Sequence, residues 1–284
     1  MRLVREAEMT VLASPDTVAL AEKRVVCAAN QLFICDLSGR VTKTLRKRAG
    51  NFFVRRNDVV AQTASAFRVF DLRTGDQKLE FTPRGYHLLY GVTSDGKRIL
   101  TKAYAKLDNR SFSVWDLATK REIAAFTEKK SFVIGAAISD DGALVVHGGT
   151  DGVARFYDVA RAEPIARVPT KGWIDTVTSF GDTFAIGGRA GVVSILSRDA
   201  RPVRTLQYGG KIAALALSDR FVVARGTKSA PMLWDLQSGD SLRVDHHDVA
   251  GLLGGTRCVR LSPDGTRIIT CGYDCRVVVS KIEL

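Results

Sequence analysis

Ser113-Val114-Trp115-Asp116-Leu117 decides the fold, because six near copies of this stretch recur along the chain. They are Leu32-Phe33-Ile34-Cys35-Asp36-Leu37, Arg68-Val69-Phe70-Asp71-Leu72, Arg155-Phe156-Tyr157-Asp158-Val159, Val193-Ser194-Ile195-Leu196-Ser197, Met232-Leu233-Trp234-Asp235-Leu236 and Val277-Val278-Val279-Ser280-Lys281-Ile282. The Asp column falls at positions 36, 71, 116, 158, 197, 235 and 281, with Ser197 and Lys281 standing where the Asp is lost. The spacings are 35, 45, 42, 39, 38 and 46. Each copy carries bulky β-branched and aromatic residues, which suit a pleated and half-buried surface.

Around this stretch each repeat reads as strand a, a tight turn, strand b, a loop, strand c ending in the Asp column, a turn, and strand d. The fourth repeat shows it best: Val133 to Ile138, the turn Ser139-Asp140-Asp141-Gly142, Ala143 to His147, Gly148-Gly149-Thr150-Asp151-Gly152, Val153 to Val159, and Pro164 to Val168. Ser94-Asp95-Gly96 and Ser262-Pro263-Asp264-Gly265 repeat the first turn. In such turns Ser and Asp bond the backbone ahead of them and Gly tolerates positive φ. Four short strands per repeat at this period predict an all-β propeller with one four-stranded antiparallel blade per repeat, hence seven blades. Seven repeats fill residues 1–284, so one domain is expected.

The chain resembles the WD40 repeat family, and Trp115-Asp116, Trp234-Asp235, Tyr157-Asp158, Phe70-Asp71 and the Ser-Pro-Asp-Gly turn at 262–265 carry the likeness. The resemblance assigns Trp115, Asp116, Asp158, Trp234 and Asp235 structural roles. The sequence departs from the family in two respects. The Gly-His dipeptide that opens many family repeats is missing, with only His246 and His247 before the last repeat as candidates, and repeats five and seven lack both Trp and Asp. The family's His-Ser-Trp-Asp hydrogen-bond network is therefore expected in few blades, and the chain reads as a divergent member.

Ring closure follows from an omission. The last repeat offers Cys258 to Leu261, Arg267 to Cys271 and Arg276 to Ile282, and no strand d follows. A spare extended segment lies between Leu3 and Ala13, ahead of the first strand a at Thr17 to Ala21. It is expected to be the missing outer strand, which removes two open sheet edges.

An apolar content of 45% with 25% charged residues is that of an ordinary globular chain. The absence of a long apolar run and of a signal-like start predicts no membrane insertion and an intracellular location, cytoplasmic with the nucleus as the alternative. Cys27, Cys35, Cys258, Cys271 and Cys275 then read as thiols, small buried residues on inner strands. Cys271 and Cys275 lack a second ligand pair, so no metal is expected. His87, His147, His246 and His247 stand near no nucleophile elbow or metal spacing, and His147 reads as a satisfied histidine at the end of strand b. Gly148-Gly149 and Gly187-Gly188 read as blade turns, not phosphate cradles. No catalysis, cofactor or small-molecule substrate is expected.

What remains is surface. The net charge of +12 is uneven: residues 1–130 carry 24 Lys and Arg against 14 Asp and Glu, a net +10, and residues 131–284 carry 18 against 16, a net +2. Strand order puts the d-to-a and b-to-c loops on one rim and the a-to-b and c-to-d turns on the other. On the first rim fall Arg46, Lys47 and Arg48 before Phe52; Arg84 before Tyr86; Lys106 and Arg110 in the longest b-to-c loop; Lys129 and Lys130; Lys171 before Trp173; and Lys228. Basic residues interleaved with aromatics form a candidate partner surface, against the plainer reading of a solvated charged face. Two functions follow: a non-catalytic scaffold that assembles proteins, with acidic surfaces as partners, or an RNA- or DNA-contacting subunit.

Overall fold

The structure is a computed structural model and describes residues 1–11, 15–45, 49–103, 111–128, 131–227, 229–247 and 255–284. Its strands form seven antiparallel sheets of four, arranged as a ring of blades. Blade four, Val133–Ile138, Leu144–Gly149, Val153–Asp158 and Glu163–Pro169, is typical. Blade seven takes Thr256–Leu261, Arg267–Gly272 and Arg276–Glu283 as strands a to c, and Arg2–Thr10 as strand d. The closing pair is antiparallel, with Leu3 opposite Ile282 and Met9 opposite Val277. Ion pairs of opposed charge line this seam: Arg2 with Glu283 at 2.8 Å, Glu8 with Arg276 at 3.0 Å and Glu6 with Arg267 at 2.6 Å.

The Asp column has a local cause. Asp71 accepts the backbone N–H groups of Arg73 and Thr74 at 2.7 and 2.9 Å, Asp116 that of Thr119 at 2.8 Å, and Asp158 that of Arg161 at 2.9 Å. Each carboxylate thus closes the turn from strand c to strand d. Ser197 does the same through its hydroxyl, which accepts the Arg201 N–H at 3.2 Å. Blade seven has no such turn, because its strand d arrives from the other end of the chain, and Lys281 replaces the Asp there without loss.

The core lies between blades. Trp115 packs with Phe67, Phe81 and Ile99 between blades two and three, and Trp234 with Val193, Ile212 and Val222 between blades five and six. Cys27, Cys35, Cys258 and Cys271 are buried free thiols, three of them on a or b strands, at the seam of blades seven and one. Burying such apolar surface, at about 25 cal/mol per Å², drives the stacking. Strands a surround a central channel of about 710 Å³.

Candidate interaction rim

The rim of d-to-a and b-to-c loops is built on glycines at the ends of strands b. A Cβ on Gly149 would stand 1.9 Å from the Phe132 carbonyl oxygen, and one on Gly188 would stand 1.8 Å from that of Trp173. The following residue then donates its N–H to the same carbonyl: Thr150 to Phe132 and Arg189 to Trp173, both at 3.1 Å. Gly148-Gly149 and Gly187-Gly188 are therefore not turns but strand ends, and the second glycine of each pair admits the crossing backbone. The crossing fixes the loop and leaves the aromatic side chain outside.

Four large aromatics are exposed among the described residues, and all lie on this rim: Tyr86 at 46%, Phe132 at 54%, Trp173 at 37% and Tyr273 at 44%. Exposed aliphatics lie elsewhere, with Val41, Ile123, Ile165 and Val203 on strands d. Two of the aromatics carry a guanidinium on the ring. Arg189 sits 3.5 Å from the Trp173 centroid, and Arg257 sits 5.1 Å from that of Tyr273. This cation–π geometry orders both partners before any ligand arrives.

Of the residues the sequence placed here, Arg84, Tyr86, Lys171 and Trp173 are exposed on the rim. Phe52 is not; it is 3% exposed and packs in the core between blades one and two, because it opens strand a on the face of that strand that meets blade one. Arg46, Lys47, Arg48, Lys106, Arg110, Lys129, Lys130 and Lys228 lie outside the described residues. Arg189, Arg257, Phe132 and Tyr273 were not singled out in the sequence, where only their positions after or before strand ends mark them.

Beneath the rim run buried polar networks. In blade seven His247 Nδ1 lies 2.9 Å from Asp274 Oδ2, and its Nε2 lies 2.9 Å from Thr270 Oγ1. His246 Nδ1 meets the same hydroxyl at 2.9 Å and its Nε2 meets Ser280 Oγ at 3.0 Å. One direction of donation satisfies every atom: Ser280 to His246, His246 to Thr270, Thr270 to His247 and His247 to Asp274. Burial pushes the His246 imidazole down to about 4, which keeps it neutral. Blade three has a shorter version: Trp115 Nε1 donates to Thr101 Oγ1 at 3.0 Å, and His87 Nδ1 lies 3.1 Å from that oxygen. His87 Nε2 donates to the Arg84 carbonyl at 3.2 Å, so this histidine ties the rim loop to the core. His147 differs from its expected role. It is buried, and neither ring nitrogen has a hydrogen-bond partner.

Among the described residues no three or more His, Cys, Asp and Glu side chains are grouped to hold a metal, and no helix is long and apolar enough to cross a membrane. No curated protein matches the chain. Residues 244–279, which hold the two histidines and strands a and b of blade seven, match the family model described as WD domain, G-beta repeat. Seven four-stranded blades in a closed ring make the chain a seven-bladed β-propeller, and its seventh blade carries a WD40 repeat.

Proposed function

We propose that the chain is a non-catalytic scaffold that docks an acidic protein partner on the d-to-a and b-to-c rim, with Trp173 and Arg189 as the anchor. WD40 propellers are in general protein-interaction scaffolds. The observation that carries the reading is the placement of every exposed large aromatic of the described residues on one rim, two of them under arginines. Trp, Tyr and Arg are the residues that dominate binding energy when a partner covers them. Lys171, exposed two residues before Trp173, adds positive charge beside the anchor. The excess of +10 in residues 1–130 supports an acidic partner, since a one-sided potential steers association.

Affinity capture from the source cell, with and without nuclease, tests this. The double variant Trp173→Ala, Arg189→Ala is expected to lose capture of nuclease-resistant protein, with melting shifted by no more than a few degrees. Replacing Arg46, Lys47, Arg48, Lys129 and Lys130 by Ser is expected to weaken capture more than replacing Lys23, Arg24, Lys97 and Arg98 on the other rim. Capture that disappears with nuclease and falls steeply with salt would establish the nucleic-acid reading instead. Equal losses from both basic sets would overturn the assignment of the rim.

A further inference from the structure

The central channel is small-residue or apolar through most of its wall, with Ala19, Phe53, Tyr90, Ile134 and Ala213 contributed by strands a of blades one to four and six. Its chemistry changes where strands a meet the a-to-b turns, on the rim opposite the aromatics. Arg55 is the last residue of strand a in blade two, Arg56 follows it, and Arg260 is the penultimate residue of strand a in blade seven. All three line the cavity. Arg55 Nε donates to the Val92 carbonyl and a terminal nitrogen to that of Val54, both at 3.1 Å, and Arg260 donates to the Val259 carbonyl at 3.0 Å. Carbonyls hold these forks in place without neutralising them.

Elsewhere in the molecule arginines meet carboxylates: Arg155 with Glu128 at 2.8 Å, Arg220 with Asp235 at 2.7 Å and Arg198 with Asp141 at 2.8 Å. Among the described residues Arg55, Arg56 and Arg260 form no ion pair. Two carboxylates stand near them: Asp140, which lines the channel and whose Oδ2 accepts the Gly181 N–H at 2.7 Å, and Asp95, close enough to Arg56 to feel its charge. The other lining carboxylate, Asp175, opens strand a of blade five at the far end, 3.7 Å from Lys211 Nζ. Burial lowers the Arg55 pKa; the Asp140 charge opposes this in part, and the charge of Arg260 adds to it. Guanidiniums gathered in a partly enclosed cavity repel one another and lose hydration, and an anion relieves both penalties.

We propose that the a-to-b mouth of the channel binds a compact polyphosphate anion, held by Arg55 and Arg260 with Arg56 at the entrance. A cavity of about 710 Å³ has the size of a small-molecule site. Arginines converging from blades two and seven require several oxygens on one ligand, and a guanidinium fork pairs with phosphate through two parallel hydrogen bonds. The site stands on different residues and a different rim from the proposed docking surface, so either can fail alone.

Calorimetric titration of the full chain with inorganic tripolyphosphate, inorganic phosphate and sulfate tests the proposal. Tripolyphosphate is expected to bind at least about tenfold tighter than sulfate, the margin that several charge-assisted contacts supply. The pair Arg55→Gln, Arg260→Gln is expected to lose at least about tenfold, while Lys120→Gln, Arg121→Gln on the same rim outside the channel leaves affinity unchanged. Arg56 is exposed, so Arg56→Gln tests the entrance without disturbing the fold and should lower affinity by a smaller factor. No binding of tripolyphosphate at millimolar concentration, equal affinity for sulfate, or an equal loss in the Lys120 and Arg121 variant would each overturn the site.

Discussion

Blades four and seven put different groups at the same point of the repeat. The fourth residue of strand b is Thr270 in blade seven and His147 in blade four. Thr270 is the hub of a hydrogen-bonded chain from Ser280 to Asp274. His147 is instead stacked between Phe112 and Tyr157, with ring centroids 5.2 Å away on each side and interplanar angles of 20° and 24°. Burial first, and the nearby Arg155 charge second, hold its pKa down at about 3. The wedge between neighbouring blades can thus be filled by directional bonds or by ring stacking. The two solutions respond differently to change: a network fails when one member is lost, and a stacked neutral ring fails when it is protonated.

The largest break is removal of the strand that completes blade seven. Deleting residues 1–10 exposes the edge of Arg276–Glu283 and strips Ala7 and Met9 from the core at the closing seam, whereas blade four carries its outer strand within its own repeat. The expected result is loss of cooperative unfolding by circular dichroism. A truncated chain that melts at the wild-type temperature would show the closure to be dispensable.

A narrower break is Thr270→Val, which keeps the shape and removes the hub. It leaves His246 Nδ1 and His247 Nε2 buried without a partner, and each such group costs about 1–3 kcal/mol, so denaturant unfolding should show a loss of about 2–4 kcal/mol. A loss below about 0.5 kcal/mol, the scale of a neutral surface change, would mean that packing alone holds blade seven.

His147→Phe sharpens the contrast from the other side, because a hydrocarbon ring stacks between Phe112 and Tyr157 and brings no polar atom that needs a partner. The sign follows from the lowered folded pKa: the unfolded imidazole takes up a proton below about pH 6.5 that the folded one refuses until about pH 3. Stability from this group is complete above pH 6.5 and declines as pH falls, by up to about 1.4 kcal/mol per pH unit. Stability measured at pH 7.5 and pH 5 should therefore fall about 1–2 kcal/mol less in the variant than in the wild type. Equal slopes would place the acid sensitivity in other groups.

The fold was legible because its repeat unit is marked by a turn chemistry that survives divergence. Five of the seven positions in the column are Asp, Ser197 still caps its turn, and the position that keeps no capping residue, Lys281, has no turn to cap. The closing strand was legible by subtraction, and its observed limits, Arg2–Thr10, fall close to the expected segment. The networks were less so. His87 follows Gly85 with Tyr86 between them, so the dipeptide pattern misses it, although it bonds to Thr101 beside Trp115. His147 was misread because a strand-end histidine is usually hydrogen-bonded, and nothing local reveals that Phe112 arrives from the next blade. Phe52 was placed outside because its loop neighbours are charged, yet alternation along strand a decides which way a ring points. The glycine pairs resembled turns because close backbone approach and positive φ select the same residue.

The ionic seam of blade seven also bears on how the chain is made. Arg2–Thr10 is synthesised before every other strand of the ring and its partner, Arg276–Glu283, after them, so the pairing of highest sequence separation forms after the other blades have had time to condense. Throughout synthesis the nascent N-terminal strand is an unclaimed edge. Arg2, Arg5, Glu6 and Glu8 act as gatekeepers in that interval, since a strand this rich in charge resists pairing with an apolar stranger. Arg2, Glu6 and Glu8 then select their address, because each meets a residue of opposite charge across the seam once the ring is shut, while Arg5 pairs with Glu8 within the strand.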